Sequence, residues 1–484
     1  MSKISRSVLP TFHPSYSATS GQNQKSTHTS KSFSAKWTVL GDKEVPKLAH
    51  GLESVINSNR IVGISEYLSI QKVPLISKER LRQLQLYTPP SQDANLIKSI
   101  PSSTKYIGST STTTGLLSQI YYMMSNKRKP DTSRLSPEFE FLSQYFTSGS
   151  QAPVTVILRK INGIWTIDSD KSFDKPNVLA DLGHVLEYRL TSTLKQFENF
   201  IEHNHLPRKD CFHLMEYGNL SLRSQLDCAH DLLPKRIFDL KTRAVLPIRL
   251  NVTRYRHNLW YKIIKHKGEF LSFEREYFDM IRSAFLKYYF QVCIGNMAGI
   301  YVAYHNTEEI FGFQYISREE LAQRVFGFSE LGESVFKTSL SILQQLLRTL
   351  LDKETHEQFS VTLHFYKGEL KVFKEAISPE YEKFKLKATN FPLDNFTKDT
   401  LKHYIVTTNT LLDDMPYTDI LDLASIKDFS LSSDLNICHM DADVITTVYK
   451  YKRVRQVESR ISSYSNDTLI SNLKTKLMPL MQIN

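Results

Sequence analysis

From Val154 onward apolar and polar positions alternate. Val154, Val156 and Leu158 fall on one side, and Ile164, Trp165 and Ile167 follow less strictly after Asn162-Gly163. A period of two predicts strands, and the Asn-Gly pair predicts a tight hairpin, because both turn positions tolerate positive φ. The spacing then becomes three and four: Leu179, Leu182, Leu186, Leu190 and Leu194 predict a single helix over residues 178–200, with Glu187 in its middle. Strands are predicted over 220–226 and 237–248, the second ended or held at an edge by Pro247. Phe273, Tyr277, Met280, Ile281, Ala284, Phe285, Tyr288 and Val292 form one apolar stripe, which predicts a continuous helix over 272–293 with Ser272 as its N-cap. A strand over 299–304 closes the unit. The order hairpin, helix, strand, strand, helix, strand is that of an α/β (α+β) fold with a mixed sheet flanked by helices.

On either side the pattern is less regular. Residues 42–150 mix apolar patches with Pro and Ser. The run Ser109–Thr114 leads into the apolar stretch from Leu116 to Met124, and an ordinary N-cap accounts for it. A phosphate-holding loop is the alternative there, but the GKS/T ending of a nucleotide-binding loop is absent. Residues 331–351 predict another helix, and Lys367-Gly368 a second hairpin. The expected division is a leader (1–41), an N-terminal region (42–150), a core with its extension (151–377) and a C-terminal extension (378–484), which has the character of a partner-binding segment. Its tail after Lys450 is basic and polar.

Lys and Arg number 61 against 50 Asp and Glu, a surplus of +11 that suits a polyanionic partner. The four cysteines, Cys211, Cys228, Cys293 and Cys438, form no CxxC pair, so reduced core thiols are expected rather than zinc or disulfides. No apolar run approaches the ~20 residues of a membrane-spanning helix. The first acid is Asp42, and Lys3, Arg6, Lys25, Lys31 and Lys36 precede it among many Ser and Thr residues. That composition is a mitochondrial transit peptide's, and also that of a plain unstructured tail.

Chemistry gathers at Asp227 and at Phe238-Asp239-Leu240-Lys241. Period two puts Asp239 and Lys241 on one strand face, and Asp227 arrives from the end of the preceding strand. Two carboxylates can hold Mg²⁺ through hard oxygen ligands, and an ammonium can orient water or stabilise a pentavalent phosphorus. Phosphodiester hydrolysis needs that set. An exposed strand carrying a cross-strand ion pair would present the same letters.

The segments 221–227 and 237–245, with Val45-Pro46-Lys47-Leu48, Tyr106-Ile107-Gly108-Ser109 and the stretch from Phe273 to Ile316, resemble a family of fungal mitochondrial petite-class RNA 5′-end processing factors with a PD-(D/E)XK nuclease-like core. The resemblance runs from about residue 45 to about 375. It implies a restriction-endonuclease-like mixed sheet and 5′-to-3′ exoribonuclease activity in the mitochondrial matrix, with possible peripheral association with the inner membrane. It also implies Mg²⁺ (Mn²⁺ as a substitute), single-stranded RNA as substrate, and mitochondrial RNA polymerase as a partner. Asp227 and Asp239 match the metal-binding acids, Lys241 the catalytic lysine, Glu187 the acid of the first core helix, and Gln291 the polar residue near the active centre. Leu240, between acid and lysine, would add a backbone metal contact. Two departures stand out: Leu226, not Pro or Gly, precedes Asp227, and the second acid is Asp where Glu is common.

Residues 254–267 interleave basic and aromatic side chains: Arg254, Arg256, Trp260, Tyr261, Lys262, Lys265 and Lys267. Cations tracking phosphates and rings stacking on bases suit single-stranded RNA. An amphipathic edge with Trp260 and Ile263 buried is the alternative. The polar helical face with Arg275, Arg282 and Lys287 is open to either reading, and Lys450–Arg455 reads as a solvated charge run. Three functions are compatible with these features: an exoribonuclease, a nuclease-derived RNA-binding accessory of the polymerase, and a DNA repair nuclease, the last without sequence support of its own.

Overall fold

The computed structural model describes residues 24–28, 34–40, 44–58, 60–74, 88–174, 177–203, 211–377, 400–418, 429–462 and 465–481. The fold is mixed α/β, as expected, but the predicted single sheet is two. Leu220–Leu226 (β1) belongs to a long sheet, between Tyr106–Ser109 and Cys211–Tyr217. A five-stranded sheet is built by Cys228–Ala229 (β2), Ile237–Ala244 (β3), Gly299–His305 (β4) and Ile310–Ser317 (β5), in that spatial order, with Val62–Gly63 beyond β5. The chain leaves one sheet at Leu226 and enters the other at Cys228, so Asp227 is the crossing residue.

The hairpins form as their turn residues require. Asn162 and Gly163 have φ of 50° and 82°, and Lys367 and Gly368 have 55° and 82°. Two predicted helices are each broken in two. The first is Val178–Leu190 (α1) and Leu194–His203 (α2). Between them Thr193 donates its N–H and Oγ to Gln196 Oε1, both at 2.9 Å, and accepts from Gln196 N at 3.3 Å. That reciprocal cap starts a new helix where the Leu spacing alone continues the old one. The second is Phe273–Ser283 (α3) and Phe285–Ile294 (α4), interrupted at Ala284 (φ −131°, ψ −33°), while Ser272 caps α3 as expected. β3 stops at Ala244, and Pro247 falls in the first turn of the short helix Leu246–Leu250, where its missing N–H costs nothing.

Leu182, Val185 and Leu186 of α1 pack with Phe238 and Leu240 of β3 and Tyr301 of β4. Each buried side chain of this kind contributes about 1.5–3 kcal/mol. The opposite face of β3 carries Asp239, Lys241 and Arg243 towards α3 and α4.

The expected boundaries at 41 and 150 are not boundaries of the sheet. Lys36–Leu40 pairs with Cys211–Tyr217, and Trp37 Nε1 donates to Ile294 O at 2.8 Å. Tyr106–Ser109 lies parallel between Ile164–Ser169 and β1, and the following helix Thr110–Ser125 is capped by Ser109, as anticipated. The C-terminal extension is also part of the fold. Leu401–Leu412 and Leu431–His439 lengthen the long sheet, and Val448 and Tyr451 of the helix Val444–Ser462 pack on Phe373 and Leu401. Arg455, expected on a solvated run, is buried against Asp170 at 2.5 Å and Glu458 at 2.7 Å. Cys211, Cys228 and Cys293 are buried thiols, and Cys438 is a half-buried one. Among the described residues, no helix is long and apolar enough to cross a membrane.

Candidate active site

β2 pairs with β3 only at Ile237 and Phe238. At the next place on that edge, the N–H of Leu240 donates to Asp227 Oδ2 at 3.0 Å. A side chain thus takes the position that a neighbouring strand would otherwise fill. In an extended strand the N–H and C=O of one residue point to the same edge, so the Leu240 carbonyl faces the same gap. Asp227 is buried. Burial, with the charges of Glu187 and Asp239, holds its carboxyl well above the usual range; Lys241 and the Leu240 N–H oppose them.

Asp239 is fully buried on the α4 side of β3. Its Oδ1 accepts from Gln291 Nε2 at 2.6 Å. Its Oδ2 forms an ion pair with the Lys241 ammonium. Burial pulls the Lys241 ammonium down, but Asp239 and Asp227 outweigh it and hold the group above its ordinary value. The Lys241 Nζ also lies 5.2 Å from the centre of the Tyr288 ring.

Glu187 reaches this group through α1. A Cβ on Gly183 would lie 3.7 Å from Thr242 Oγ1, so α1 runs close over β3 there. Glu187 is one turn further on, and its charge acts on Asp227. Even so, among the described residues no three acidic, His or Cys side chains stand together as a metal-holding group. The oxygen donors that do converge are the carboxylates of Asp227 and Asp239 and the Leu240 carbonyl. These are hard ligands of the kind Mg²⁺ and Mn²⁺ take, and the buried Asp239 Oδ2, which faces the Lys241 ammonium, fits such an ion.

The segment expected to bind RNA divides. Arg254, Arg256, Lys262, Lys265 and Lys267 are exposed, with Arg254 3.7 Å from Asp467 and Lys262 2.9 Å from Glu309. Trp260 is half-buried against the core. Tyr261 is buried and its hydroxyl accepts from Leu271 N at 2.7 Å, so it cannot stack on a base. Its burial follows from the alternation with Ile263, which sends both side chains inward. His305 is structural, its Nδ1 accepting from Thr307 N at 2.9 Å. Tyr288 and Arg243 were not anticipated at the site. The alternation Asp239, Lys241, Arg243 is the signal for the second.

A cavity of about 540 Å³ lies elsewhere, lined by Arg60, Gly63, Lys267, Glu274 and Arg324 among others, and by none of the acids above. Its walls are internally satisfied: Glu274 accepts from Ser136 N at 2.8 Å and from Gly268 N at 2.7 Å, and Arg324 pairs with Asp131 at 3.2 Å.

Among solved structures, the chain is similar to K. lactis Dxo1 in complex with manganese (TM-score 0.36, 10% identity, 71% of this chain and 86% of that one). It is similar too to Candida albicans Rai1 in complex with pU5-Mn²⁺ (TM-score 0.38, 12% identity, 70% and 88%). Likeness this loose carries no chemistry across. In sequence it is 36% identical over 345 residues to the mRNA degradation protein pet127, mitochondrial, of Schizosaccharomyces pombe, covering 66% of this chain and 65% of that protein. It is 36% identical over 328 residues to the putative mitochondrial translation system component PET127 of Saccharomyces cerevisiae, covering 62% and 40%. The chain therefore spans just under two thirds of one relative's length and two fifths of the other's. The sequence model of the mitochondrial protein Pet127 matches residues 87–348, more than half of the chain and all of the site from Glu187 to Gln291, and the chain belongs to that family.

Proposed function

We propose that this protein is a metal-dependent exoribonuclease of the PD-(D/E)XK type that shortens RNA from its 5′ end in the mitochondrial matrix. The observation that carries the reading is the convergence of Asp227, Asp239, Lys241 and Gln291 at the opening edge of β3. The S. pombe relative's name, an mRNA degradation protein, agrees with it.

Asp227 and Asp239 would hold Mg²⁺ or Mn²⁺ with the Leu240 carbonyl, and Glu187 adds negative charge behind them. The bound ion would lower the pKa of a water and offset charge on the phosphoryl oxygens. Lys241 sits where its ammonium, released from Asp239, meets a phosphate oxygen as negative charge grows there. Gln291 fixes the rotamer of Asp239. Tyr288 keeps the Lys241 stem on the site side of the strand.

The test is purified protein incubated with 5′-monophosphorylated single-stranded RNA, with and without Mg²⁺, beside Asp239→Ala. Metal-dependent shortening from the 5′ end, reduced at least a hundredfold in the variant, is the expected result. Among the described residues no three acidic, His or Cys side chains stand together, and a second reading is an RNA-binding accessory of mitochondrial RNA polymerase. RNA or polymerase binding that Asp239→Ala leaves intact, with no cleavage in any metal, selects it.

A further inference from the structure

Two residues beyond Lys241, on the same face of β3, the surroundings of Arg243 are short of negative charge. Arg243 is 8% exposed, and neither its Nε nor its Nη2 has a hydrogen-bond partner among the described residues. Its nearest acid is Glu276, whose Oε2 lies 3.5 Å from Nε. Glu276 is already engaged: Oε1 accepts from Leu246 N at 2.8 Å and Oε2 pairs with Arg249 at 2.5 Å. The other acid, Asp279, is shared by Arg249 at 2.9 Å, Arg275 at 3.2 Å and Arg282 at 3.8 Å. Four guanidiniums thus share two carboxylates, and all six groups are largely shielded from water. Buried charge is costly unless it is balanced, so the cluster lacks an anion. Burial, reinforced by Arg249, pulls Arg243 down to about 10.

The wall opposite is α4. Its half-buried stripe includes Tyr288 and Gln291, while Phe285, Leu286, Tyr289 and Phe290 face the core. Gln291 reaches Asp239. Tyr288 acts electrostatically on both Lys241 and Arg243, so strand and helix face each other across these groups.

We propose that Arg243 seats a phosphate of the RNA strand one nucleotide away from the bond that is cut. The assignment rests on the nuclease reading for what is cut, and on the charge imbalance for the seat itself. Successive same-face residues of a strand are about 6.6 Å apart, a step comparable to that between neighbouring phosphates of a nucleic acid chain. A guanidinium with free N–H groups offers a phosphate paired, directed donors. The group that fits is a phosphate, either the 5′-terminal monophosphate or an internal diester.

The experiment measures binding of 3′-fluorescein-labelled oligouridylate, with a 5′-phosphate or a 5′-hydroxyl, by anisotropy over a range of salt. It compares the wild type with Arg243→Gln and Arg243→Lys, alongside melting curves. Arg243→Gln should weaken binding at least tenfold and flatten the salt slope by about one. Arg243→Lys should recover part of the loss. A loss confined to the 5′-phosphorylated oligomer identifies the terminal phosphate as the occupant; an equal loss on both identifies an internal one. Unchanged affinity and salt slope in folded Arg243→Gln overturn the proposal. If Arg243→Gln does not fold, Arg243→Lys decides alone: affinity equal to the wild type's overturns the proposal, because an ammonium lacks the paired donors of the guanidinium. If the wild type binds RNA but cuts none, the nuclease reading falls while these binding arms still decide the seat.

Discussion

Gln291 Nε2 donates to Asp239 Oδ1 at 2.6 Å, tying α4 to the strand that bears the acid and the lysine. An amide donating to one oxygen leaves the other to face Lys241, so the orientation of the carboxylate depends on a neighbour that performs no chemistry. Gln291→Ala should lower the RNA cleavage rate ten- to a hundredfold, the usual cost of losing an outer partner of a metal-binding carboxylate. The fold should survive at a cost of about 1–3 kcal/mol, because the buried Asp239 Oδ1 loses its donor while the ion pair with Lys241 remains. Rates and melts on the same preparation check both parts.

Two glycines should respond oppositely to a methyl group. A Cβ on Gly183 meets only Thr242 Oγ1, at the ordinary distance of 3.7 Å, and the residue lies within α1. Gly183→Ala should therefore be neutral or stabilising by up to about 1 kcal/mol, the helix-propensity difference. A Cβ on Gly299 would run into Ile316 O and stand 2.9 Å from Ser317 Cα, both backbone atoms of β5. Gly299→Ala should cost roughly 1–3 kcal/mol as β4 and β5 separate. Urea unfolding of the two variants gives the comparison.

Arg455 should prove structural. It is 2% exposed and holds Asp170 beside the hairpin strand Ile164–Ser169, tying the C-terminal helix to the long sheet. Arg455→Ala removes the cation that Asp170 and Glu458 share in a buried setting, and should cost about 3–5 kcal/mol. Limited proteolysis should then release the segment after residue 400 at protease concentrations that leave the wild type whole.

How much of this was legible in the sequence depended on how local the signal was. Asn162-Gly163 and Lys367-Gly368 carry their turn geometry in their own φ preferences, and both hairpins formed. The pairing of Asp239 with Lys241 followed from the pleat of a strand, which needs nothing from elsewhere. The breaks at Thr193 and Ala284 were hidden because apolar spacing continues in phase across them, and the capping side chains that decide are a weaker signal than a leucine stripe. The division into two sheets was not readable, since strand pairing is settled between residues far apart in the chain. Asp227 could be named, but not placed as the crossing residue. Tyr261 was misread because alternating aromatic and basic letters describe a buried edge as well as an RNA-binding one, and Arg455 because its partner Asp170 is 285 residues away.

His305 provides a pH dependence independent of the site. Burial pulls it down to about 3 from an ordinary 6.5. A depressed folded value means that the unfolded chain binds the extra proton between those limits. Its contribution is therefore complete above about 6.5 and is lost as pH falls towards 3, at up to about 1.4 kcal/mol per pH unit. His305→Asn keeps an acceptor for the Thr307 N–H and removes the titration. The stability of this variant should fall less steeply between pH 6.5 and 4 than the wild type's in urea melts.

The central claim is that the carboxylates of Asp227 and Asp239, with Lys241, form a metal-dependent RNA-cleaving centre, and Asp227→Asn tests it most directly. The substitution retains the shape and an acceptor for the Leu240 N–H but removes the charge. The rate of shortening of 5′-phosphorylated RNA in Mg²⁺ should fall more than a hundredfold while RNA affinity and the melting curve persist. Cleavage by Asp227→Asn at the wild-type rate, or a folded, RNA-binding wild type that cuts in neither Mg²⁺ nor Mn²⁺, would contradict the account.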